Sequence, residues 1–258
     1  MKKIWLSAVN STKEEVQKTQ SVLQQYGIAV EGHFWLDDLD KMAWAAPRQA
    51  ILDAKINMWA IIVGKEDLAS PTLRYGLALL ALTVQAAKGQ DFPIVILKKS
   101  SEAIPSDNLP TSLSGCDILE LNNTAYGAKI VAKLHKPITH TIPPYRLDVY
   151  GIPQIGQWFE VGPRDGTWSG ALFGTSGTQP CLHIVGKAGQ LPEKSVLNFP
   201  QQGLEIDLVG RKFTAWAVQN QLDSASSYYV KVDGHPDSIL FSAYSMNETA
   251  EVFVIKLK

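Results

Sequence analysis

The sequence feature that most limits the fold of this chain is an unbroken apolar run, Met58-Trp59-Ala60-Ile61-Ile62-Val63. A strand without polar positions must be covered on both faces, which is typical of a central strand in a parallel sheet. Further strand-like runs at 4–9, 28–36, 92–97 and 116–121 alternate with segments of helical periodicity. Strict alternation of strands and helices favours a parallel sheet with right-handed crossovers. We therefore predict a flavodoxin-like α/β domain of about five βα units in the first half of the chain.

Two helix starts are visible in this half. Ser11-Thr12-Lys13-Glu14 has the spacing of a capping box, and Gly27 is expected to end the helix that follows. Ser70-Pro71 predicts another start, because serine caps free backbone N–H groups and proline suits the first helical position. The second helix carries an apolar stripe made of Leu73, Leu77, Leu80 and Val84. Both helices are thus predicted to pack against the sheet.

A change of pattern divides the chain. Pro137, Pro143, Pro144 and Pro153 are too dense for a helix and predict an extended linker over residues 137–153. Beyond it, alternating segments such as 204–209 and 252–255 are separated by turn residues, with clear turns predicted at 165–166, 174–177 and 233–236. The sequence thus predicts an α/β domain over 1–136 and an all-β domain over 154–258. The second domain is expected to be a sandwich or small barrel of roughly six to eight antiparallel strands.

Composition excludes several classes of partner. The 24 Lys and Arg residues are balanced by 25 Asp and Glu residues, so nucleic acid is not expected to bind. Cys116 and Cys181 have neither CxxC spacing nor a nearby histidine pair, which disfavours a metal site or disulfide framework and suits a reducing compartment. The longest apolar stretch, 77–84, is far shorter than the ~20 residues of a membrane span. We predict a cytoplasmic protein without a membrane anchor.

Candidate ligand-binding residues follow from the predicted sheet. Ligands of such sheets lie beyond the carboxyl ends of the strands, which points to the loops at 8–12, 37–44 and 64–70. The helix start at Ser70 could receive a phosphate or carboxylate, and Arg74 could pair with the same group. Trp44 could stack on an adenine ring. The predicted ligand-binding residues are Ser7, Asp37, Asp38, Trp44, Glu66, Ser70 and Arg74.

The same residues have plainer interpretations. The acidic side chains are typical of solvated loops and helix caps. Arg74 suits a surface position that packs its aliphatic stem, and Trp44 suits a core or interdomain anchor. Neither GxGxxG nor GxxxxGK[ST] occurs, so a Rossmann dehydrogenase or a P-loop enzyme is not expected.

The order of elements over residues 1–136 resembles the Toll/interleukin-receptor (TIR) superfamily. The matching features are the first strand at 4–7, Trp35-Leu36-Asp37-Asp38 after the second strand, Ile51-Leu52-Asp53-Ala54 before Ile61-Ile62-Val63-Gly64, and the serine-led helix at 70–75. The resemblance implies a signalling module that associates with itself or with a protein partner. It also implies that NAD or another nucleotide could be a ligand, although no resident cofactor is predicted.

One departure from the family bears on activity. In TIR enzymes that cleave NAD, a glutamate early in the third helix contacts the nicotinamide ribose, and the matching position here is Gly76. No acidic residue lies between Asp67 and Asp91. Because attack at an anomeric carbon develops positive charge that a carboxylate must stabilise, this absence counts against glycosidic cleavage. Only Glu66 or Asp67 could substitute, if their loop folded back over the pocket.

The β domain offers less chemistry. Gly174-Thr175-Ser176-Gly177 lacks GxSxG spacing, and His183 and His235 have no evident serine or cysteine partner. Aromatic residues in this half could form a sugar- or peptide-binding surface, but their alternation is also typical of core packing. They are Trp158, Trp168, Trp216, Tyr228 and Tyr229.

Three functions are compatible with these patterns. The leading hypothesis is a TIR-like signalling or nucleotide-ligand-binding module, fused to a β-sandwich recognition domain and without catalytic activity of its own. The second is an N-glycosidase acting on NAD or a nucleoside through Glu66 or Asp67. The third is a carbohydrate- or peptide-binding protein that acts through the β domain.

Overall fold

The computed structural model of the chain describes residues 1–105, 108–137, 142–208, 210–245 and 251–258. The chain forms two compact units, Met1–Thr141 and Ile142–Lys258. No helix among the described residues is both long and apolar enough to span a membrane.

The N-terminal unit contains a parallel sheet of five strands in the order β2-β1-β3-β4-β5. The strands are β1 (Lys3–Ala8), β2 (Ala29–Phe34), β3 (Ile56–Val63), β4 (Ile94–Lys98) and β5 (Asp117–Glu120). All neighbouring strands run parallel, and all eight residues of β3 except Asn57 are buried. The flavodoxin-like α/β prediction is therefore confirmed.

Helices cover both faces of this sheet. They are α1 (Lys13–Gln25), α2 (Arg48–Leu52), α3 (Pro71–Lys88) and α4 (Tyr126–His135). Leu23 of α1 and Ile130 of α4 pack in one core with strand residues such as Leu6. Because α1 leads from β1 towards one edge of the sheet and α3 leads from β3 towards the other, right-handed crossovers place α3 on the opposite face. Every residue of α3 from Tyr75 to Val84 is buried, which extends the predicted stripe to the whole circumference of the helix.

The capping box of α1 lies one residue later than predicted. The Thr12 hydroxyl accepts a hydrogen bond from the Glu15 N–H at 3.2 Å, and the Glu15 carboxylate accepts one from the Thr12 N–H at 2.8 Å. The Ser11 hydroxyl instead donates to the Val9 carbonyl at 2.9 Å. The spacing rule fits the Ser11/Glu14 and Thr12/Glu15 pairs equally, so the pattern alone did not separate them. The predicted start of α3 is confirmed, since Ser70 is its N-cap and Pro71 its first residue.

The C-terminal unit is built from antiparallel strands. The described residues form nine, more than the number predicted: β6 (Tyr145–Ile152), β7 (Gly156–Pro163), β8 (Ala171–Ser176), β9 (Pro180–Lys187), β10 (Gln201–Leu208), β11 (Arg211–Val218), β12 (Ser226–Val232), β13 (Ser238–Ala243) and β14 (Val252–Lys256). They form one sheet in the order β6-β7-β12-β9 and another in the order β10-β11-β8-β13-β14.

The two sheets of this unit pack face to face through aromatic side chains. Ring centroids lie 5.4 Å apart for Phe159 and Phe173, 4.8 Å apart for His183 and Trp216, and 4.9 Å apart for Tyr145 and Phe241. Each pair joins a strand of one sheet to a strand of the other. Of the two predicted architectures, the structure therefore adopts the sandwich.

Two details of the second half differ from the sequence prediction. The segment expected to be a linker, 137–153, contains β6, which pairs along its whole length with β7. Pro144 and Pro153 stand just outside β6, so the prolines mark the ends of a strand that they cannot enter. Residues 138–141 of the predicted linker lie outside the described residues. The predicted turn at 174–177 is wrong as well, because β8 continues to Ser176 and the chain turns only at Gly177, where φ is 84°.

Candidate functional site

The carboxyl edge of the parallel sheet is where a ligand is expected. In the order β2-β1-β3, the chain leaves β1 towards one side and β3 towards the other, and the loops that follow these strands diverge at this point. In the structure, the loop after β4 also reaches the same edge. The side chains of Asn10, Asp67 and Lys99, one from each loop, meet here, and we call them the rim network.

Asp67 is the centre of the rim network. Its Oδ1 accepts a hydrogen bond from the Asn10 side-chain amide at 2.6 Å, and its Oδ2 accepts one from the Gly64 N–H at 2.8 Å. The Lys99 ammonium lies 3.8 Å from Oδ2, and only 7 % of the Asp67 side chain is exposed. The carboxylate is therefore committed to groups of the protein itself.

Lys99 closes the gap between the loops. Its Nζ donates to the Val9 carbonyl at 2.8 Å and to the Asn10 carbonyl at 2.7 Å. Asn10 itself has a left-handed backbone with φ of 42°, a conformation that asparagine tolerates better than most residues. The ammonium thus lies among backbone and carboxylate oxygens at the junction of β1 and β3.

Glu66 takes a different position in the same loop. Its side chain is exposed, and its carboxylate folds back over Gly64, close to where a Cβ on that glycine would lie. It therefore lies on the surface of the loop, outside the rim network.

The start of α3 is satisfied by its own neighbours. The Thr72 hydroxyl donates to the Asp37 carboxylate at 2.6 Å, and the Ser70 and Thr72 hydroxyls are 2.8 Å apart. The Ser70 hydroxyl also accepts the Leu73 N–H at 3.4 Å. The structure thus brings together the predicted residues Asp37 and Ser70, with Thr72 between them.

Asp38 belongs to a local turn. Its carboxylate accepts hydrogen bonds from the Lys41 N–H at 3.0 Å and from the Lys41 ammonium at 2.9 Å. The hydrogen bond from the Lys41 side chain is the main reason that the pKa of Asp38 lies below its usual value. Asp38 therefore remains ionised, but it is directed at its own loop.

Gly76, the position where the TIR resemblance would place a catalytic glutamate, is a packing point. A Cβ at Gly76 would lie 3.0 Å from Cζ2 of Trp35, 3.4 Å from Cβ of Trp44 and 3.6 Å from Cδ2 of Leu39. Trp44 is 2 % exposed, so the indole predicted to stack on a ligand is part of the core. A Cβ at this position would already require Trp35 to shift by a few tenths of an ångström, so a longer side chain would have to displace the packed indoles.

Two further predicted site residues are used inside the protein. The Ser7 hydroxyl is fully buried in β1 and accepts a hydrogen bond from the indole N–H of Trp59 at 2.9 Å. The Arg74 guanidinium donates to the carbonyls of Leu68 at 2.6 Å and Ala69 at 3.0 Å. Arg74 therefore caps the short helix Asp67–Ala69, and Ser7 is out of reach of a ligand.

Sequence reasoning missed the residues that fill the edge. Lys99 is the first residue after β4, so the rule that places ligands beyond strand ends applies to it as well. Asn10 lies within the loop 8–12, but its contact with Asp67 depends on tertiary structure.

A second aromatic group lies at the sheet edge formed by β2. The His33 ring lies between Trp5 and Trp35, with centroids 5.7 Å and 6.0 Å away. The indole N–H of Trp5 donates to His33 Nδ1 at 3.0 Å, which requires an unprotonated Nδ1. Burial lowers the pKa of His33 to about 4.

Acidification from pH 6.5 to about 4 is expected to destabilise the N-terminal unit through His33 by ~1–2 kcal/mol. The unfolded histidine takes up a proton near pH 6.5 and the folded one only near 4, so this stabilisation is complete above 6.5 and is lost as the pH falls to about 4. Urea unfolding measures the free energy of unfolding of the wild type and of His33→Phe. The difference between these two free energies should shrink as the pH falls over this interval. A difference that stays constant with pH would contradict the assignment.

Aromatic residues of the β domain are mostly interior. Tyr228 and Tyr229 are fully buried, and Trp158 is 5 % exposed. The Tyr228 hydroxyl lies 2.8 Å from His183 Nδ1 within the sandwich, and burial lowers the pKa of His183. Trp216 packs edge-on against the same histidine. These contacts match the core-packing interpretation rather than a sugar- or peptide-binding surface.

Glu160 of β7 is a buried carboxylate that sequence reasoning did not single out. It accepts hydrogen bonds from the Tyr150 hydroxyl at 2.6 Å, the Ser227 hydroxyl at 2.7 Å and the Gly189 N–H at 2.9 Å. Burial is the main cause that raises the pKa of Tyr150, so this hydroxyl remains a donor. Glu160 thereby fixes the loop after β9 to the sheet.

Among the described residues, no group of three or more His, Cys, Asp or Glu side chains is arranged to hold a metal ion. No protein-family model matches the chain, and a search of curated proteins finds no match. Function must therefore be inferred from the geometry of the two units.

Proposed function

We propose that this protein is a TIR-like signalling module without nucleotide-cleaving activity, joined to a β-sandwich recognition domain. It acts in the cytoplasm by binding a protein partner or a second copy of itself. The observation that carries the proposal is the packing of Trp35 and Trp44 around Gly76, which fills the position where a glycosidase of this kind would hold its carboxylate.

The other acidic residues of the edge support the same conclusion. Cleavage of an N-glycosidic bond needs a carboxylate free to face the anomeric carbon. Asp67 would have to give up its hydrogen bonds with Asn10 and Gly64 to do so. Glu66 is exposed over Gly64, on the outside of the loop.

Incubation of the full chain with NAD should therefore release no nicotinamide above the uncatalysed rate, as followed by chromatography over hours. Glu66→Gln and Asp67→Asn should give the same trace as the wild type. Nicotinamide release that is abolished by either substitution, but kept by Asp37→Asn, would establish the N-glycosidase alternative and overturn the proposal.

A further inference from the structure

An opening of the N-terminal unit lies at the opposite edge of the sheet, beside the amino ends of the strands. It has a volume of about 580 Å³, within the range of ~300–1,000 Å³ that is usual for small-molecule sites. Its walls come from the starts of β1 and β3 and from the ends of α1 and α4.

One wall of this cavity is apolar. Ile28 and Leu134 are 3 % and 7 % exposed and belong to the core of the unit, and Val131 lies beside them. The ring of Tyr26, 45 % exposed, packs over Gly127 and borders the opening. Because Ile28 and Leu134 are almost fully covered, the apolar surface that this wall exposes comes from Tyr26 and Val131.

The other wall carries two ammonium groups and an imidazole. Lys2, Lys55 and His135 line the cavity, and no acidic residue is among the described lining residues. Lys2 and Lys55 are exposed, and neither ammonium has an ion-pair partner within the described part of the chain. Some other lysines of this unit are paired, as Lys3 is with Glu31 at 2.6 Å and Lys133 with Asp117 at 2.6 Å.

Asn57 adds a neutral donor between the two lysines. Its Oδ1 accepts the Lys3 N–H at 3.0 Å, which leaves the side-chain NH2 group directed away from that contact and without a partner in the described residues. The free carbonyls at the carboxyl ends of α1 and α4 carry a partial negative charge, which repels an anion. This repulsion falls off within one helical turn. Two full ammonium charges outweigh it.

We propose that this cavity binds an organic anion that has an apolar body and a carboxylate or phosphate head. The head pairs with Lys2 and Lys55 and accepts from Asn57, while the body lies against Tyr26 and Val131. This site is separate from the carboxyl edge of the sheet and does not depend on the signalling proposal.

Calorimetric titration of the full chain with four probes tests this site. The probes are 1-naphthyl phosphate, 1-naphthoate, the neutral 1-naphthol and inorganic phosphate. We expect the two naphthyl anions to bind saturably, and naphthol and inorganic phosphate to bind at least about tenfold more weakly, because each lacks one half of the recognised chemistry. Tighter binding of the phosphate identifies a phosphate ester as the natural ligand class, and tighter binding of the carboxylate identifies a carboxylic acid.

Charge-matched variants locate the binding. The double variant Lys2→Gln/Lys55→Gln should weaken both naphthyl anions by about tenfold. The control Lys18→Gln/Lys129→Gln removes the same net charge from exposed positions outside the cavity and should leave both affinities within about twofold. Equal affinity for naphthol, equal loss in both double variants, or no saturable binding of either anion would overturn the proposal.

Discussion

Replacing Gly76 by glutamate is expected to lower the free energy of unfolding of the N-terminal unit by at least ~4 kcal/mol and to confer no NAD cleavage. The new side chain would have to displace Trp35 or Trp44, and its carboxylate would be introduced among the apolar groups of Trp35, Trp44 and Leu39. Amide hydrogen exchange of β3 measures this loss, because it reports the opening of the unit that contains the strand.

Smaller substitutions separate packing from charge at this position. Gly76→Ala should gain helix propensity but crowd Trp35, with a net loss of about 1–2 kcal/mol. Gly115→Ala is the matched control, since nothing lies within 4 Å of a Cβ there, and it should change stability by less than ~0.5 kcal/mol. A stable Gly76→Glu variant that releases nicotinamide would show that the aromatic packing is only a closed form of a working site.

Asp67→Ala is expected to destabilise the same unit by ~3 kcal/mol, the largest loss that any single acidic residue of the edge should produce. The change leaves the Gly64 N–H and the Asn10 amide without their acceptor, and the Lys99 ammonium, 18 % exposed, without its nearest carboxylate. Asp37→Ala removes an exposed acid with one hydrogen bond to Thr72 and should cost less than ~1 kcal/mol.

A double-mutant cycle tests whether Asp67 acts through Lys99. Combined with Lys99→Met, which removes the charge and keeps most of the apolar stem, Asp67→Ala should cost clearly less than it does alone. Both quantities come from hydrogen exchange of β3. If the losses in the free energy of unfolding are strictly additive, the two side chains stabilise the loops independently. The residues of the rim network would then be close in space but not energetically coupled.

Most of the α/β architecture was readable because it depends on local patterns. The apolar run 58–63 needs two covered faces wherever it occurs, and the serine and proline at 70–71 fix a helix start without reference to the rest of the chain. Where the sequence fits two local structures equally well, as for a capping box that begins at Ser11 or at Thr12, it does not show which one forms. The prolines around β6 led to the prediction of a linker instead of a strand. The segment forms a strand because it pairs with β7, and this pairing is not visible in the local composition.

The position of these residues at one sheet edge was predictable from the sequence, but the contacts of their side chains were not. Strand order places Asp37, Ser70 and the loop 64–70 at this edge, as expected. The rim network depends on contacts between residues far apart in sequence, such as Lys99 with Val9. Similarly, only the three-dimensional structure shows that Trp35 packs closely against Gly76, because more than a helix and a strand separate the two residues along the chain.

The burial of α3 on all sides has a consequence for the life of the chain in the cell. From Tyr75 to Val84 all sides of the helix are buried, so this stretch lacks the polar face that most helices present to solvent. It has no such face to expose when it is synthesised before the segments that cover it. Until β4 and the segments after it leave the ribosome, the apolar surface of this stretch is exposed. It can then bind chaperones or cause aggregation. Proteostasis of the protein therefore depends on how quickly this one helix is enclosed.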